Sequence, residues 1–316
     1  MQGVSPCLQQ TKLRGRDALA TIVFLLAANA AFAADPAPEP PKADPAAKAD
    51  APLVIDGKLD EPIWQKATPV SVDYIGTKTG TKSETQHMTA KYTWDDHYLY
   101  IGYETFDANL IAVGKDEKQG PPNNQRQGCE IYDAKQDGAK VDVVEFFISF
   151  GDEHFMWEIH QNALNQFNDI LCVSVDPSWP VNKTSMTTYG IIFTPNEWLA
   201  DEGEYTVKTA VHLKPKADGK PSTVNDSSDV DTGYTAEIRL PWRSIGAPTA
   251  AATWIENKPA PRQPGPWKMA GQTISLLAVM QDGDLKERYH HTSPTRKPDW
   301  FHKTQPFWPR YIFTAP

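Results

Sequence analysis

VIDGKLDEPIW at 54–64 decides how the rest of the chain reads, because four more blocks follow it in order. KYTWDDHYLYIGYETFD occupies 91–107, VDVVEFFISF 141–150, FMWEIHQNALN 155–165 and GYTAEIRLPW 233–242. Apolar and polar residues alternate with period two through these blocks, and no helical stripe lasts long, which argues for strands. Along 92–104, Tyr98, Tyr100 and Gly102 lie on one side and Leu99, Ile101 and Tyr103 on the other. Trp94-Asp95-Asp96-His97 reads as the turn between two strands, where aspartates suit the tight backbone. The run at 141–150 is almost continuously apolar, as expected of a central strand covered on both faces. Strands are also expected over 155–160, 169–175, 205–213, 233–240 and 272–281, about ten in all, with Pro241 opening one helical turn. The class is all-β. Residues 108–140, 215–231 and 247–267 break the rhythm with Gly, Pro, Asn or charge and read as loops.

The first 33 residues are expected to be a signal peptide. Lys12, Arg14 and Arg16 are the basic segment, 18–30 the apolar run, and Ala31-Phe32-Ala33 the small-residue cleavage site. The run is short for a membrane span, which needs about 20 apolar residues; an uncleaved anchor is the alternative. Cys7 precedes the run and cannot be the lipid-bearing residue of a mature lipoprotein. The reading is a chain secreted, or held in a periplasm or at a cell surface, with no membrane insertion after cleavage. Residues 34–52, ADPAPEPPKADPAAKADAP, offer almost nothing to bury and read as a disordered linker, leaving 53–316 as the folded domain.

A net charge of −9 argues against nucleic acid, which asks for clustered Lys and Arg, and against an anionic membrane surface. Neutral sugars, which ask for stacking planes and hydrogen bonds, remain compatible. Cys129 and Cys172 lie beyond the cleavage site, so export permits a disulfide between them; two separate thiols is the other reading. All ten tryptophans lie beyond that site too. Trp64, Trp94, Trp157 and Trp242 fall inside strand or turn blocks and are read as core. Trp179, Trp198, Trp254, Trp267, Trp300 and Trp308 lie in or beside loops and are freer to meet a ligand.

The five blocks, in this order, resemble the family 9 carbohydrate-binding modules and their relatives. The resemblance implies a two-sheet antiparallel β-sandwich, jelly-roll-like, with long loops and one or two short helical turns. It also implies binding of an oligosaccharide or polysaccharide end in the service of carbohydrate catabolism. PDWFHKTQPFWPRYIF at 298–313 is similar to the family's last loop, which places Trp300 at a position that clamps a sugar ring. Sugar-binding members carry a second tryptophan just ahead of the block that here reads Asp142-Val143-Val144-Glu145. This chain has Tyr132 there, at a different distance, and Trp179 in a neighbouring loop as a substitute. Glu145 matches a glutamate that hydrogen-bonds sugar hydroxyls. Glu158 and His160 share one face of the next strand and stand where sugar-binding members carry an arginine and an asparagine.

The resemblance further implies a structural calcium ion, for which Asp56, Asp60 and Glu61, or Asp95 and Asp96, have suitable oxygens. Turn and capping roles explain those carboxylates equally well. His290, His291, His302 and Asp299 are dense enough to suggest a transition metal, but adjacent histidines in a strand point to opposite faces. No nucleophile elbow, H-E-x-x-H motif or phosphate loop is present, so binding rather than reaction is expected. Two alternatives stand beside it. One is haem held on a related sandwich by Met88, Met156 or Met280. The other is a glycoside hydrolase using Glu145 and Glu158.

Overall fold

The alternation seen along 92–104 becomes two strands joined by the Asp95-Asp96 turn. In a computed structural model of the chain, residues 41–75, 82–112, 141–150, 155–174, 189–193, 207–245, 268–283, 289–291 and 308–315 are described. All of them belong to the unit Pro40–Pro316. The elements are β1 (Ala43–Ala47), α1 (Pro62–Lys66), β2 (Val70–Ile75), β3 (Lys82–Trp94), β4 (Tyr98–Phe106), β5 (Val143–Ser149), β6 (Phe155–Gln161), β7 (Phe167–Ser174), β8 (Tyr189–Phe193), β9 (Lys208–Leu213), β10 (Tyr234–Pro241), α2 (Trp242–Ile245), β11 (Thr273–Gln281), β12 (Tyr289–His291) and β13 (Arg310–Thr314). The larger sheet runs β1-β13-β11-β5-β6-β7-β8, with β12 also on β11, and the smaller runs β2-β3-β4-β10-β9. The fold is an all-β sandwich.

Period two sorts the side chains between layers. Tyr92, Leu99, Ile101, Tyr103 and Ile238 of the smaller sheet meet Val144, Phe146, Ile148, Ile159 and Leu276 of the larger in one buried cluster. The other face of β5 is buried too, since Phe147 packs with Met156, Leu277, Val279 and Trp308 in a separate cluster. The central strand is therefore covered on both sides, as its composition implied. Met88 and Met280 pack in the main core and Met156 in the outer cluster, where thioethers fill apolar space.

The Asp95 carboxylate shapes the β3–β4 turn. Its Oδ1 accepts from the backbone N–H of His97 and Tyr98 at 2.7 and 2.8 Å, and its Oδ2 from the Tyr100 hydroxyl at 2.7 Å. The 54–64 block lies across the outside of the smaller sheet. Trp64, Tyr98 and Tyr100 form a third cluster there. Gly57 has φ +87°, and a Cβ at that position would stand 2.7 Å from the backbone N of His212. Only glycine suits both demands.

Residues 41–52, within the stretch read as a linker, are built into the fold, while 34–40 lie outside the described residues. Ala43–Ala47 pairs in parallel with β13, and Ala46 and Ala49 are buried. The Trp94 indole N–H donates to the Ala46 carbonyl at 2.9 Å, and the Thr93 hydroxyl to that of Ala47 at 2.6 Å. Backbone pairing holds β1, while the buried Ala46 and Ala49 and the Lys48–Asp96 ion pair add small side-chain contributions that composition could not reveal. Pro45 is tolerated because β1 lies at a sheet edge. The same pairing makes the larger sheet mixed, not purely antiparallel. The 215–231 loop is also built in: Asp231 accepts from the N–H of Leu110 and Thr223, and Asn225 from that of Ala112.

Candidate functional site

β5 and β6 are antiparallel neighbours in which Glu145 stands opposite His160 and Phe147 opposite Glu158. Since Val144, Phe146 and Ile159 face the main core, Glu145, Glu158 and His160 emerge together on the outer face of the larger sheet. His160 Nε2 and Glu158 Oε1 are 2.8 Å apart. One ligand-type atom from each of the three side chains lies within 4.8 Å of the others. His160 is 0% exposed, Glu145 3% and Glu158 8%. Phe147, Met156, Leu277, Val279 and Trp308 form the buried apolar cluster on this face, with the Phe147 and Trp308 rings 5.7 Å apart. Carboxylates in such surroundings are costly unless donors or cations compensate them.

Three of the six residues expected to bind sugar thus come together on one sheet face. The other three, Trp300, Tyr132 and Trp179, lie outside the described residues, as do Trp198, Trp254, Trp267, His302, Asp299 and Cys129. His290 and His291 fall on β12, opposite Met280 and Val279 of β11. Trp64, Trp94, Trp157 and Trp242 are buried, as their positions in strand blocks implied. Trp308, grouped by sequence with the freer loop aromatics, is 0% exposed and is a packing residue.

Of the carboxylates singled out for calcium, Asp56, Asp95 and Asp96 are engaged separately. Asp56 accepts from the N–H of Lys58, Asp95 organises its turn, and Asp96 pairs with Lys48 at 2.7 Å. Among the described residues, the carboxylates that converge away from Glu145 are Asp107, Asp142 and Asp282, all buried, with one oxygen of each within 4.8 Å of the others. Asp107 follows β4, Asp142 precedes β5 and Asp282 follows β11, so the group joins one end of the smaller sheet to the larger. Asp142 Oδ2 accepts from Ile111 N–H at 2.6 Å and its Oδ1 from Gly283 N–H at 2.8 Å. Burial, reinforced by the charge of Asp107, pushes the Asp142 carboxyl well above the usual range. An all-oxygen set of this kind suits calcium by its donor chemistry. The sequence signal was slight: each aspartate abuts a strand end, far from the others in the chain.

Two sheets closed over a shared core, with a polar cluster set into one outer face, define a β-sandwich. The chain belongs to the carbohydrate family 9 binding domain-like family, whose model matches residues 55–225. Among solved structures, a candidate carbohydrate-binding protein from Bacteroides uniformis is similar at 12% identity and a TM-score of 0.50, over 85% of this chain and 97% of that one. A family 9 carbohydrate-binding module from Caldicellulosiruptor kristjanssonii is similar in its cellotriose complex at 15% identity and TM-score 0.44, over 87% and 95% of the two chains. Its glucose complex gives 14% identity and TM-score 0.43, over 86% and 97%. No curated protein matches the chain in sequence. Among the described residues, no helix is long and apolar enough to cross a membrane.

Proposed function

We propose that this chain is a secreted, noncatalytic carbohydrate-binding domain that receives a sugar on the outer face of its larger sheet. The observation that carries the reading is the cluster of Glu145, Glu158 and His160, three polar side chains converging among Phe147, Val279 and Trp308. A few convergent polar groups set among apolar ones is the usual make-up of a small-ligand site. Membership of the family supports a carbohydrate as that ligand. On this reading Trp300 supplies a stacking plane, with Tyr132 or Trp179 opposite it, while the carboxylates accept from sugar hydroxyls.

Residues 1–33 direct export and are removed, which gives a mature chain starting at Ala34, and the bound material is one that carbohydrate catabolism consumes. Asp107, Asp142 and Asp282 hold a structural calcium ion that ties the two sheets together at one end. Calorimetry of the mature protein with cello-, xylo- and manno-oligosaccharides tests the reading. Heat that disappears in Glu145→Gln is the expected result, and no heat with any of them would overturn it.

A further inference from the structure

Gln281 is the last residue of β11 and stands on the outer face of the larger sheet. Ile274, Leu276, Ala278 and Met280 turn into the main core, while Leu277 and Val279 join the outer cluster, and period two places Gln281 with the latter. Its register partners are Val143 of β5 and Tyr289 of β12, as Glu145 and His291 are those of Val279. Gln281 is therefore a diagonal neighbour of Glu145 on the adjoining strand, at a spacing of about 7–8 Å that long side chains still bridge.

The two ends of its amide meet different surroundings. The residue is 1% exposed, and its Nε2 donates to the Val141 carbonyl at 3.1 Å. A carbonyl only accepts, so this contact fixes which end of the amide is nitrogen and which is oxygen. Among the described residues nothing donates to that oxygen, Oε1, which is itself buried. An amide oxygen taken out of water without a donor is a cost to the fold. The bond to Val141, and a ladder with strands on both sides, hold the amide where it is, so its oxygen is set in advance for a donor from outside. Sites for small ligands take their selectivity from a few such groups among apolar ones. A ligand that brings a hydroxyl satisfies Oε1, and one that lacks it leaves the oxygen stranded in the complex.

We infer that Gln281 is a specificity-determining residue of the outer-face site, its Oε1 accepting from a hydroxyl of the bound sugar other than the one that meets Glu145. The inference rests on the carbohydrate reading and adds to it one neutral acceptor on the next strand. The test titrates the full mature chain with cellotriose, xylotriose and mannotriose in a calorimeter, as wild type, Gln281→Met and Gln281→Glu. Methionine has nearly the length of glutamine and no strong acceptor, whereas glutamate keeps an oxygen at the same reach. Both variants lose the bond to Val141, so a difference between them belongs to the oxygen. For a trisaccharide that binds, Gln281→Met should weaken affinity by about 10-fold, as for one ordinary hydrogen bond, and Gln281→Glu by less than about 3-fold. Monodeoxy forms of that sugar then identify the hydroxyl. The form that loses about 10-fold on the wild type should lose nothing further on Gln281→Met, a coupling that a purely structural role does not produce.

Equal affinity in wild type and Gln281→Met, with heat still lost in Glu145→Gln, sinks the role of Gln281 and leaves the sugar site standing; Oε1 then serves an ordered water. Equal losses in Gln281→Met and Gln281→Glu also sink it, since the residue would then act only by holding Val141. No heat with any of the three sugars overturns the carbohydrate reading and this inference with it. Should Gln281→Met lose its native circular dichroism, Gln281→Asn takes its place, because it keeps the amide but withdraws the oxygen by one methylene. Unchanged affinity in that variant counts equally against the inference.

Discussion

The Trp64 indole N–H donates to Glu237 Oε1 at 2.9 Å, a bond that spans 173 positions of sequence. Glu237 Oε2 accepts from the backbone N–H of Asp56 and Gly57 at 2.9 and 3.0 Å. One carboxylate on β10 therefore latches the whole 54–64 block onto the smaller sheet. That is the physical content of the sequence D-G-x-L-D-E-P-I-W. The aspartate turns the chain, the glycine lets it approach β9, and the tryptophan reaches the carboxylate.

Burial pushes the Glu237 carboxyl up to about 7, against the lowering effect of its three donors. The folded state therefore holds a proton that the unfolded chain releases at about pH 4.5. Its stabilising effect is complete in acid and is lost as pH rises from about 4.5 through 7. The stability of the wild type relative to Glu237→Gln should fall across that window by no more than about 3 kcal/mol. Melting temperatures of both proteins between pH 4 and 8 measure it. A difference that stays flat or grows with pH would show that Glu237 is already ionised in the fold.

Ala43–Ala47 contributes backbone pairing to β13 and accepts two bonds from the end of β3, through the side chains of Thr93 and Trp94. Removing residues 41–51 exposes the β13 edge and leaves the Trp94 indole N–H without its acceptor. A buried donor so stranded costs about 1–3 kcal/mol by itself. The denaturation midpoint should drop clearly, whereas an unchanged midpoint would show that β1 is dispensable.

Phe147 is fully buried on the outer face of the central strand, against Trp308. Phe147→Ala should cost roughly 3–5 kcal/mol, as for other large-to-small changes at close-packed sites. Chemical denaturation reads this directly. A loss under about 1 kcal/mol would mean that the outer cluster collapses around the gap or that little packs there.

The hairpin of β3 and β4, the doubly covered β5 and the common face of Glu158 and His160 were all legible, because each is written in a local alternation. What escaped the sequence has another origin. β1 is held through carbonyls and amides that every residue carries, so its Pro- and Ala-rich side chains gave no hint. Asp107, Asp142 and Asp282 meet only after two sheets have closed, and nothing in their separate neighbourhoods marks them as a group. Trp308 sits in a Pro-flanked stretch that reads as loop, yet it is buried beside Phe147 just ahead of β13.

Those three aspartates make the calcium reading testable. Burial and the charge of Asp107 raise the Asp142 carboxyl, so in metal-free protein this group stabilises the fold in acid and the effect is lost as pH rises through its folded pKa. A bound cation removes that penalty and adds its own binding free energy. At a calcium concentration 100 times the dissociation constant the gain is about 2.7 kcal/mol. Calorimetric melting at pH 7.5 should show a rise with calcium that EDTA reverses and that Asp142→Asn lacks. An equal rise in Asp142→Asn would place any calcium elsewhere.

The sharpest expectation concerns the sugar. Trp300 is proposed as one stacking plane, while the second plane, from Tyr132 or Trp179, departs from the spacing of sugar-binding relatives. Binding of short oligosaccharides should therefore be modest, with dissociation constants between about millimolar and micromolar, or about −4 to −8 kcal/mol. Trp300→Ala should remove most of that affinity while leaving the melting temperature near wild type, since the stacking energy belongs to the ligand contact. Glu145→Gln should weaken binding and spare the fold if its carboxylate accepts from sugar hydroxyls. Calorimetry against cello-, xylo- and manno-oligosaccharides, each with its reducing end free and reduced, makes the comparison, because an end-binding site distinguishes the two forms. Full wild-type affinity in Trp300→Ala would move the stacking plane to another aromatic. A melting temperature that falls sharply in the same variant would make Trp300 a packing residue like Trp308.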